Sequence, residues 1–138
     1  MLDKIIAIAG KPGLYRIIAK GHNNLIVESL DQQRKRQTLF PSQKAVSLKD
    51  ISIYTNDGRE KPLATLLQNA LDNYDKQPAP LHHKKSSDQE ITAFFAKALP
   101  DYDTQRVKVS DMRKALCWYN ILAEAGITDL TLPENPAE

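Results

Sequence analysis

Apolar and polar positions follow a two-residue rhythm in the first half of the chain and a three-to-four-residue rhythm in the second. Short runs of strand-forming residues separated by turn clusters predict strands. The predicted strands are residues 14–19, 25–30, 37–40 and 50–55, with residues 45–48 ambiguous. Several short strands joined by tight turns must protect their edges, and closing into a small barrel does so. We therefore expect an α+β fold that begins with a small SH3-like β-barrel, with an OB-like barrel as the second choice.

The first apolar run has two interpretations. Apolar positions within residues 2–9 have helical spacing, and Gly10 ends the pattern as a glycine after a helix does. A strand over residues 5–9 is the alternative. We predict the helix, followed by a turn at residues 11–13.

Three amphipathic helices are predicted to follow the strands. The first is expected over residues 62–75. The second begins at a capping box, in which Ser87 precedes Glu90 by three residues. The third has Ser110 as its expected N-cap and ends at Gly126. The stripes that these helices are expected to bury are Leu63, Leu66, Leu67, Ala70, Leu71 and Tyr74; Ile91, Phe94, Phe95, Ala98 and Leu99; and Met112, Ala115, Leu116, Tyr119, Leu122 and Ala123.

A polar stretch divides the chain. Residues 77–87 contain two prolines and show no periodicity, which predicts a linker. We expect a β-barrel module with flanking helices over residues 1–76, a helical module over residues 88–127 and a tail over residues 128–138. Two helices make a small core, so the helical module is expected to lean on the barrel, on the helix over residues 62–75 or on a second copy of the chain.

Composition indicates an ordinary globular protein, since 41% of the 138 residues are hydrophobic and 26% are charged. The single cysteine, Cys117, excludes an intramolecular disulfide and indicates a reducing compartment. No signal peptide or membrane-spanning stretch is recognised, so we expect a cytoplasmic protein with no membrane partner. The net charge is only +2, but residues 1–50 carry nine Lys and Arg against four Asp and Glu, whereas residues 77–138 carry seven against nine.

The basic first part offers the main candidate for ligand binding. Residues 34–36 form a basic cluster, and a small barrel brings the turn at Lys11 close to it. Small barrels bind phosphate backbones through such loops together with exposed aromatic residues. Tyr15, Phe40 and Tyr54 are the aromatics available, and Phe40 is assigned to the core. An ordinary solvated hairpin loop is the alternative. The candidate ligand-binding residues are Lys11, Tyr15, Arg16, Arg34, Lys35 and Arg36.

Other titratable residues give no reaction centre. Asp101 and Asp103, with Asp111, have the chemistry to hold Mg²⁺ or to transfer protons, but carboxylates beside helix starts are favoured by the helix dipole. His82 and His83 lack further ligands at metal-binding spacing. We therefore predict that the protein is not an enzyme and has no metal or cofactor. An enzyme that uses the three aspartates is the least favoured hypothesis.

Trp118, on the third helix, is the candidate for a contact surface. It lies about 100° around the helix from the buried Tyr119. Exposed tryptophan is enriched in binding hot spots. Together with Phe95 and Met112 it is expected to mark an inter-module or dimer contact. The alternative is a tryptophan that seals the junction between the two modules.

Several short motifs occur in an order that is similar to one protein family. They are Gly10–Tyr15, Val27–Leu30, Asp50–Thr55, Leu99–Asp103, Val109–Asp111 and Trp118–Asn120. The set resembles a family of small Bacteroidota proteins, a conserved domain of unknown function, over residues 1–125. The resemblance implies a β-rich N-terminal module followed by a helical module in the bacterial cytoplasm. It supplies no activity and no site residue.

The expected function is a non-enzymatic binding or adaptor module, with nucleic acid as one version of its ligand. A protein-interaction or self-associating scaffold protein is the alternative. Nucleic acid, another protein and a homodimer are therefore the partners left open.

Overall fold

Strands fill the first part of the chain and helices the second, in a computed structural model that describes residues 2–10, 13–31, 33–40, 42–128 and 130. The strands are β1 (Ile5–Ile8), β2 (Tyr15–Gly21), β3 (Asn24–Ser29), β4 (Arg36–Leu39), β5 (Ala45–Ser47), β6 (Ser52–Tyr54) and β7 (Glu60–Pro62). The helices are α1 (Leu63–Asn73), α2 (Asp88–Ala98) and α3 (Val109–Glu124), with short 3-10 helices at Leu2–Lys4 and Leu48–Asp50. The predicted α+β class is confirmed.

The first apolar run is a strand, so the prediction of a helix over residues 2–9 is wrong. Only Leu2–Lys4 forms a turn of 3-10 helix, and β1 follows it. β1 pairs antiparallel with β2 on one side and with β5 on the other. Ile5, Ile6 and Ile8 are all buried, although neighbouring strand residues face opposite sides of the sheet. A strand buried on both faces has a continuous apolar run, and that run imitates helical spacing.

The larger sheet is antiparallel and open. Its strand order is β4-β3-β2-β1-β5, and a bulge interrupts β2 between Ile17 and Ala19. In the described residues no ladder joins β4 to β5, so the closed SH3-like barrel is not shown. One face buries a cluster made only of the sheet's own side chains, namely Ile6, Ile8, Tyr15, Val27 and Leu39. A sheet that covers its own apolar face must curve, and twist and the bulge both favour curvature.

The main core lies between the sheet and the three helices. Ile5 and Leu48 from the strand part are fully buried there, together with Leu66 from α1 and Tyr119 from α3. All predicted helix stripes are buried, except that Tyr74 is half-buried at the margin. The helices therefore cover their apolar faces within this chain. None of the helices in the described part of the chain has the length and apolar character to span a bilayer.

The segment between α1 and α2 is hydrogen-bonded to α3. The Tyr119 hydroxyl donates to the Gln77 carbonyl at 2.7 Å, and the Ala79 N–H donates to Asn120 Oδ1 at 2.8 Å. Asn120 Nδ2 in turn donates to the Leu81 carbonyl at 3.2 Å. Residues 77–87 thus join two helices while bonded to a third. The division into separate modules at this segment stays a prediction.

Two of the predicted helix ends are confirmed. The Ser87 hydroxyl accepts from the Glu90 N–H, and the Glu90 carboxylate accepts from the Ser87 N–H, both at 3.2 Å. This is the reciprocal capping box expected from the sequence. Gly126 has φ +76°, and the Ile127 N–H donates to the Leu122 carbonyl at 2.9 Å, which ends α3.

The start of α3 differs from the prediction. Ser110 is not its N-cap, because the helix already begins at Val109 and its N-cap is Lys108. The Asp111 carboxylate reaches back to accept from the Lys108 N–H at 3.1 Å. A carboxylate in the first helical turn therefore satisfies a free N–H here.

Candidate functional site

The predicted basic cluster surrounds one buried carboxylate. Arg16, Glu28 and Arg36 lie side by side across β2, β3 and β4, and Arg34 approaches from the hairpin loop. Glu28 is 8% exposed. Its Oε1 atom is 3.6 Å from Arg16 Nη2 and 3.8 Å from Arg34 Nη1, and its Oε2 atom is 3.3 Å from Arg36 Nε. The structure thus brings three predicted residues together, but it places a negative charge at their centre.

A second carboxylate fixes the loop that carries this cluster. The Ser29 hydroxyl donates to Asp31 Oδ1 at 2.8 Å and lowers the pKa of that carboxyl below its usual value. The N–H groups of Gln33 and Arg34 also donate to it. Lys35 is exposed, and its N–H donates to the Ser29 hydroxyl at 2.9 Å. The loop is therefore a folded turn with its own negative charge, which reduces its attraction for anions.

The aromatic residues expected near this cluster lie apart from it. Tyr15 is buried in the cluster on the other face of the sheet, opposite its neighbour Arg16. Phe40 is 54% exposed, so its assignment to the core is wrong, because β4 ends at Leu39. Tyr54 is 44% exposed on β6. The predicted residue Lys11 lies outside the described residues.

A cleft, here called the basic groove, lies between the sheet and α3 and encloses about 740 Å³. It is lined by Ala7, Ile8, Ala9, Gly10, Gly13, Lys44, Ala45 and Val46 on the sheet side, by His83 and Lys84 from the segment before α2, and by Ser110, Arg113, Lys114, Cys117 and Trp118 from α3. Alanine and glycine on the sheet side leave the space open. A cleft of this volume accommodates a small ligand.

The charge of the basic groove is positive. Lys44, Lys84, Arg113 and Lys114 line it, and no Asp or Glu of the described residues does. Arg113 is already paired, because its Nη2 atom lies 2.7 Å from Asp88 Oδ1. Three lysines therefore remain to attract a ligand. The pKa of His83 is lowered below its usual value, mainly by burial. The nearby charges of His82, Lys84 and Arg113 lower it further.

The same arginine holds one wall of the basic groove in place. Arg113 Nη1 donates to the His83 carbonyl and Nη2 to the Ser86 carbonyl, both at 3.0 Å. His82 Nδ1 accepts from the N–H groups of Lys84 and Lys85 at 3.0 and 3.1 Å. These bonds fix the backbone of the turn at residues 82–86, so Lys84 projects from a rigid position.

Trp118 stands between the basic groove and a second cavity. This apolar groove encloses about 410 Å³ and shares Val46, Lys114 and Trp118 with the basic groove. Its other lining residues are Ile51, Ser52, Ile53, Tyr54, Leu63, Phe95, Arg106, Val107, Asp111 and Ala115. The Arg106 guanidinium lies 4.9 Å from the centre of the Tyr54 ring, within the range of a cation–π contact. The two grooves therefore adjoin each other, and the indole lines both.

The thiol in the basic groove is not activated. Cys117 is half-buried, and burial raises the pKa of its thiol above the usual value, although the Lys84 charge acts in the opposite direction. A thiol with a raised pKa is mostly protonated at neutral pH and is a poor nucleophile.

The three aspartates considered for catalysis have separate partners. Asp101 pairs with Lys61 at 2.8 Å, and Asp103 accepts N–H groups of the turn that follows it. Asp111 accepts from the Lys108 N–H at the start of α3. In the described part of the chain no group of three or more His, Cys, Asp or Glu side chains is placed to hold a metal ion.

The candidate interface residues have different environments. Phe95 is 1% exposed and Met112 is 3% exposed, and both pack in the main core. Trp118 is half-buried, packs against that core and lines both grooves. It is thus the member of the predicted set that a second molecule reaches most readily.

Sequence reasoning missed the lysines of the basic groove. Ser110, Lys114 and Trp118 recur at intervals of four, which places them along one face of α3 beside the buried stripe. Lys84 lies in the predicted linker, and its position beside α3 depends on long-range hydrogen bonds of Arg113 that have no local signature.

Both parts of the chain match known families. A family model described as domain of unknown function DUF6852 matches residues 51–122, and one described as domain of unknown function DUF5606 matches residues 2–48. A solution NMR structure of a protein from Bacteroides vulgatus is 43% identical in sequence, with a TM-score of 0.76. The similarity covers 94% of this chain and 91% of that one. None of the curated proteins matches.

Proposed function

Given that this chain belongs to the family described as domain of unknown function DUF6852, with DUF5606 matching its first part, we propose from its own geometry that it is a non-enzymatic binding module for an anionic ligand. The family membership confirms the resemblance found in the sequence motifs. The observation that carries the proposal is the basic groove, whose charged lining residues in the described chain are all cations.

We expect an anion to bind more tightly in the basic groove than at the arginine patch, which is the cluster of Arg16, Arg34 and Arg36 around Glu28. In the patch, Glu28 already faces three guanidinium groups. In the groove, Lys44, Lys84 and Lys114 line one cleft, and no Asp or Glu of the described residues lines it with them. The raised thiol pKa of Cys117 and the separate partners of the aspartates support a binding role over a catalytic one.

Trp118 provides a direct assay, because it is the single tryptophan of the chain and lines the basic groove. We expect inorganic tripolyphosphate, which has no ultraviolet chromophore of its own, to change the tryptophan fluorescence in a saturable titration. The affinity should fall as salt rises from 20 to about 200 mM, since screening weakens attraction between charges.

Matched lysine variants make the assay specific. Lys84→Gln combined with Lys114→Gln should weaken tripolyphosphate binding by about tenfold or more, because each lysine lines the groove. Lys20→Gln combined with Lys85→Gln removes the same charge from exposed positions outside the groove and should leave the affinity nearly unchanged. Equal losses in both double variants, or no binding at low salt, would refute the proposal.

We also propose a finer description of the fold and a location in the cell. The sheet is an open variant of an SH3-like barrel, which is supported by the position of β5 beside β1 at one edge and by the apolar cluster that the sheet encloses. A cytoplasmic location is supported by the single cysteine, Cys117, which fits a reducing compartment.

Association with a protein partner or a second copy is the second proposal. Its support is the exposed ring of Phe40, which adds apolar surface to the strand part. The small core expected of the two-helix module gives it no support, because α2 and α3 pack against α1 within the chain. Light scattering at several concentrations tests the homodimer, and a constant monomer mass contradicts it.

A further inference from the structure

We infer that the anionic ligand is single-stranded nucleic acid, with phosphates in the basic groove and bases in the adjoining apolar groove. This inference rests on the proposed function and narrows it to one class of ligand. It depends on the position of the two grooves relative to each other, which neither groove alone would show.

The two grooves differ in chemistry but share one wall. Lys44 and Lys84 line only the basic groove, whereas Ile53 and Tyr54 line only the apolar groove. Lys114 and Trp118 line both. A single strand repeats the same pairing of a charged phosphate with a flat apolar base, so a path along two adjoining grooves that share Trp118 matches its chemistry.

Aromatic rings border the path at two points. The Trp118 indole lines both grooves, and the Tyr54 ring lines the apolar groove, where it is still 44% exposed although Arg106 lies 4.9 Å from its centre. Bases stack on such rings without regard to sequence, and a neighbouring guanidinium strengthens the contact. A polyanion without bases would leave both rings unused.

Other anions fit the path less well. A free mononucleotide carries one phosphate group and one base, so it would use only one of the two rings and fewer of the lysines than a strand does. A duplex keeps its bases stacked inside, so only its phosphates could enter. An acidic peptide would match the lysines but not the rings. Asp111 also lines the apolar groove and offsets part of the positive charge of Arg106 and Lys114, so this half attracts phosphates less than the basic groove does.

The experiment compares a strand with an anion that has no bases. Fluorescein-labelled ten-nucleotide oligo(dT) and oligo(U) are titrated with the full chain by fluorescence anisotropy, and tripolyphosphate binding is measured by competition. Tyr54→Leu should weaken binding of the oligonucleotides by about fivefold or more, since stacking on one ring contributes about 1–3 kcal/mol. It should change tripolyphosphate binding by less than about twofold.

Phe40→Leu provides the matched control. Phe40 is an exposed aromatic that lines neither groove, so its replacement should leave oligonucleotide binding unchanged. Lys84→Gln with Lys114→Gln should weaken both kinds of ligand. Circular dichroism of each variant confirms that the chain remains folded, and Tyr54→Phe should restore binding because it keeps the ring.

The outcomes separate this inference from the proposed function. If the oligonucleotides bind no more tightly than thymidine monophosphate, a ten-base-pair duplex or a poly-glutamate peptide, the strand is not the ligand, while anion binding in the groove still stands. Equal effects of Tyr54→Leu and Phe40→Leu overturn it in the same way. If neither tripolyphosphate nor the oligonucleotides bind, both proposals fall.

Discussion

Replacing Tyr119 by phenylalanine removes one oxygen atom from the centre of the main core. The Tyr119 side chain is fully buried, and its hydroxyl donates to the Gln77 carbonyl at 2.7 Å and lies 3.2 Å from the Ala70 carbonyl. These carbonyls belong to α1 and to the segment that follows it. One hydroxyl on α3 therefore holds the end of α1 and the start of the 77–87 segment.

The cost of the substitution follows from which carbonyl loses its partner. The Ala70 carbonyl keeps the Tyr74 N–H, which donates to it at 3.0 Å. The Gln77 carbonyl loses the shorter bond and is only partly buried, so water compensates in part. We expect Tyr119→Phe to lower the free energy of unfolding by about 1–2 kcal/mol. For a chain of 138 residues this corresponds to a Tm about 5 °C lower.

The pH dependence gives a second readout with a defined sign. Burial raises the pKa of Tyr119 from 10.0 to about 12, and Tyr74 contributes to the shift. The folded chain therefore keeps the phenolic proton to higher pH than the unfolded chain does. The stability that this provides is complete below pH 10 and is lost between pH 10 and about 12. The slope is about 1.4 kcal/mol per pH unit over that interval, and Tyr119→Phe should remove it.

Urea unfolding followed by circular dichroism at pH 7 and at several values from pH 9 to 11.5 measures both effects. Tyr74→Phe is the control, since it removes the same atom from a half-buried ring that stacks on Phe94 with 6.0 Å between ring centres. We expect it to cost under about 0.5 kcal/mol at pH 7. If Tyr119→Phe costs no more than Tyr74→Phe, the hydroxyl does not stabilise the core as described.

Three further substitutions test other parts of the fold. Ser87→Ala should destabilise by about 1 kcal/mol through loss of the capping box, and Ser87→Asp should restore most of it, as thermal unfolding would show. Glu28→Gln leaves three guanidinium groups without their carboxylate and should cost about 1–3 kcal/mol; a cost that does not shrink in 0.5 M NaCl would contradict mutual repulsion as its cause. Arg113→Gln should speed amide hydrogen exchange at residues 83–86 well before the helix cores, and uniform protection would disprove the anchoring role.

The helices were predictable because their information is local. The 3.6-residue period fixes which face of a helix can be buried, and the predicted stripe of α1, which contains Leu66, is buried except for the half-buried Tyr74. The capping box at Ser87 is equally local, since both partners lie within one turn. Ser110 misled the same reasoning, because Asp111 offers a competing cap that starts the helix earlier.

The strands were less predictable because their partners are distant. Ile5 and Ile6 face opposite sides of β1, and both are buried only because β2, β5 and the helices surround that strand. No local rule distinguishes such a strand from a short buried helix. Phe40 lies directly after β4, which ends at Leu39, and its 54% exposure contradicts the prediction of a core position.

The candidate site was the least predictable part, since four separate segments build it. The arginine patch was foreseen because Arg34 and Arg36 are neighbours in sequence, but the buried Glu28 beneath them depends on strand register. Lys44 and Lys84 become neighbours of α3 only through the fold. The arginine patch is therefore easier to predict from the sequence than the basic groove is. However, its positive charge is also neutralised to a greater extent, by Glu28.

Arg113 shows why stability and binding depend on the same contacts here. It is paired with Asp88, and it also donates to the carbonyls of His83 and Ser86. This arginine therefore ties the turn that carries Lys84 to α3. The free lysines then need little reorganisation to receive an anion, because the backbone that carries them is already ordered. The hydrogen bonds that tie residues 77–87 to α3 thus form the wall of the groove, and loosening them should weaken ligand binding before the main core unfolds.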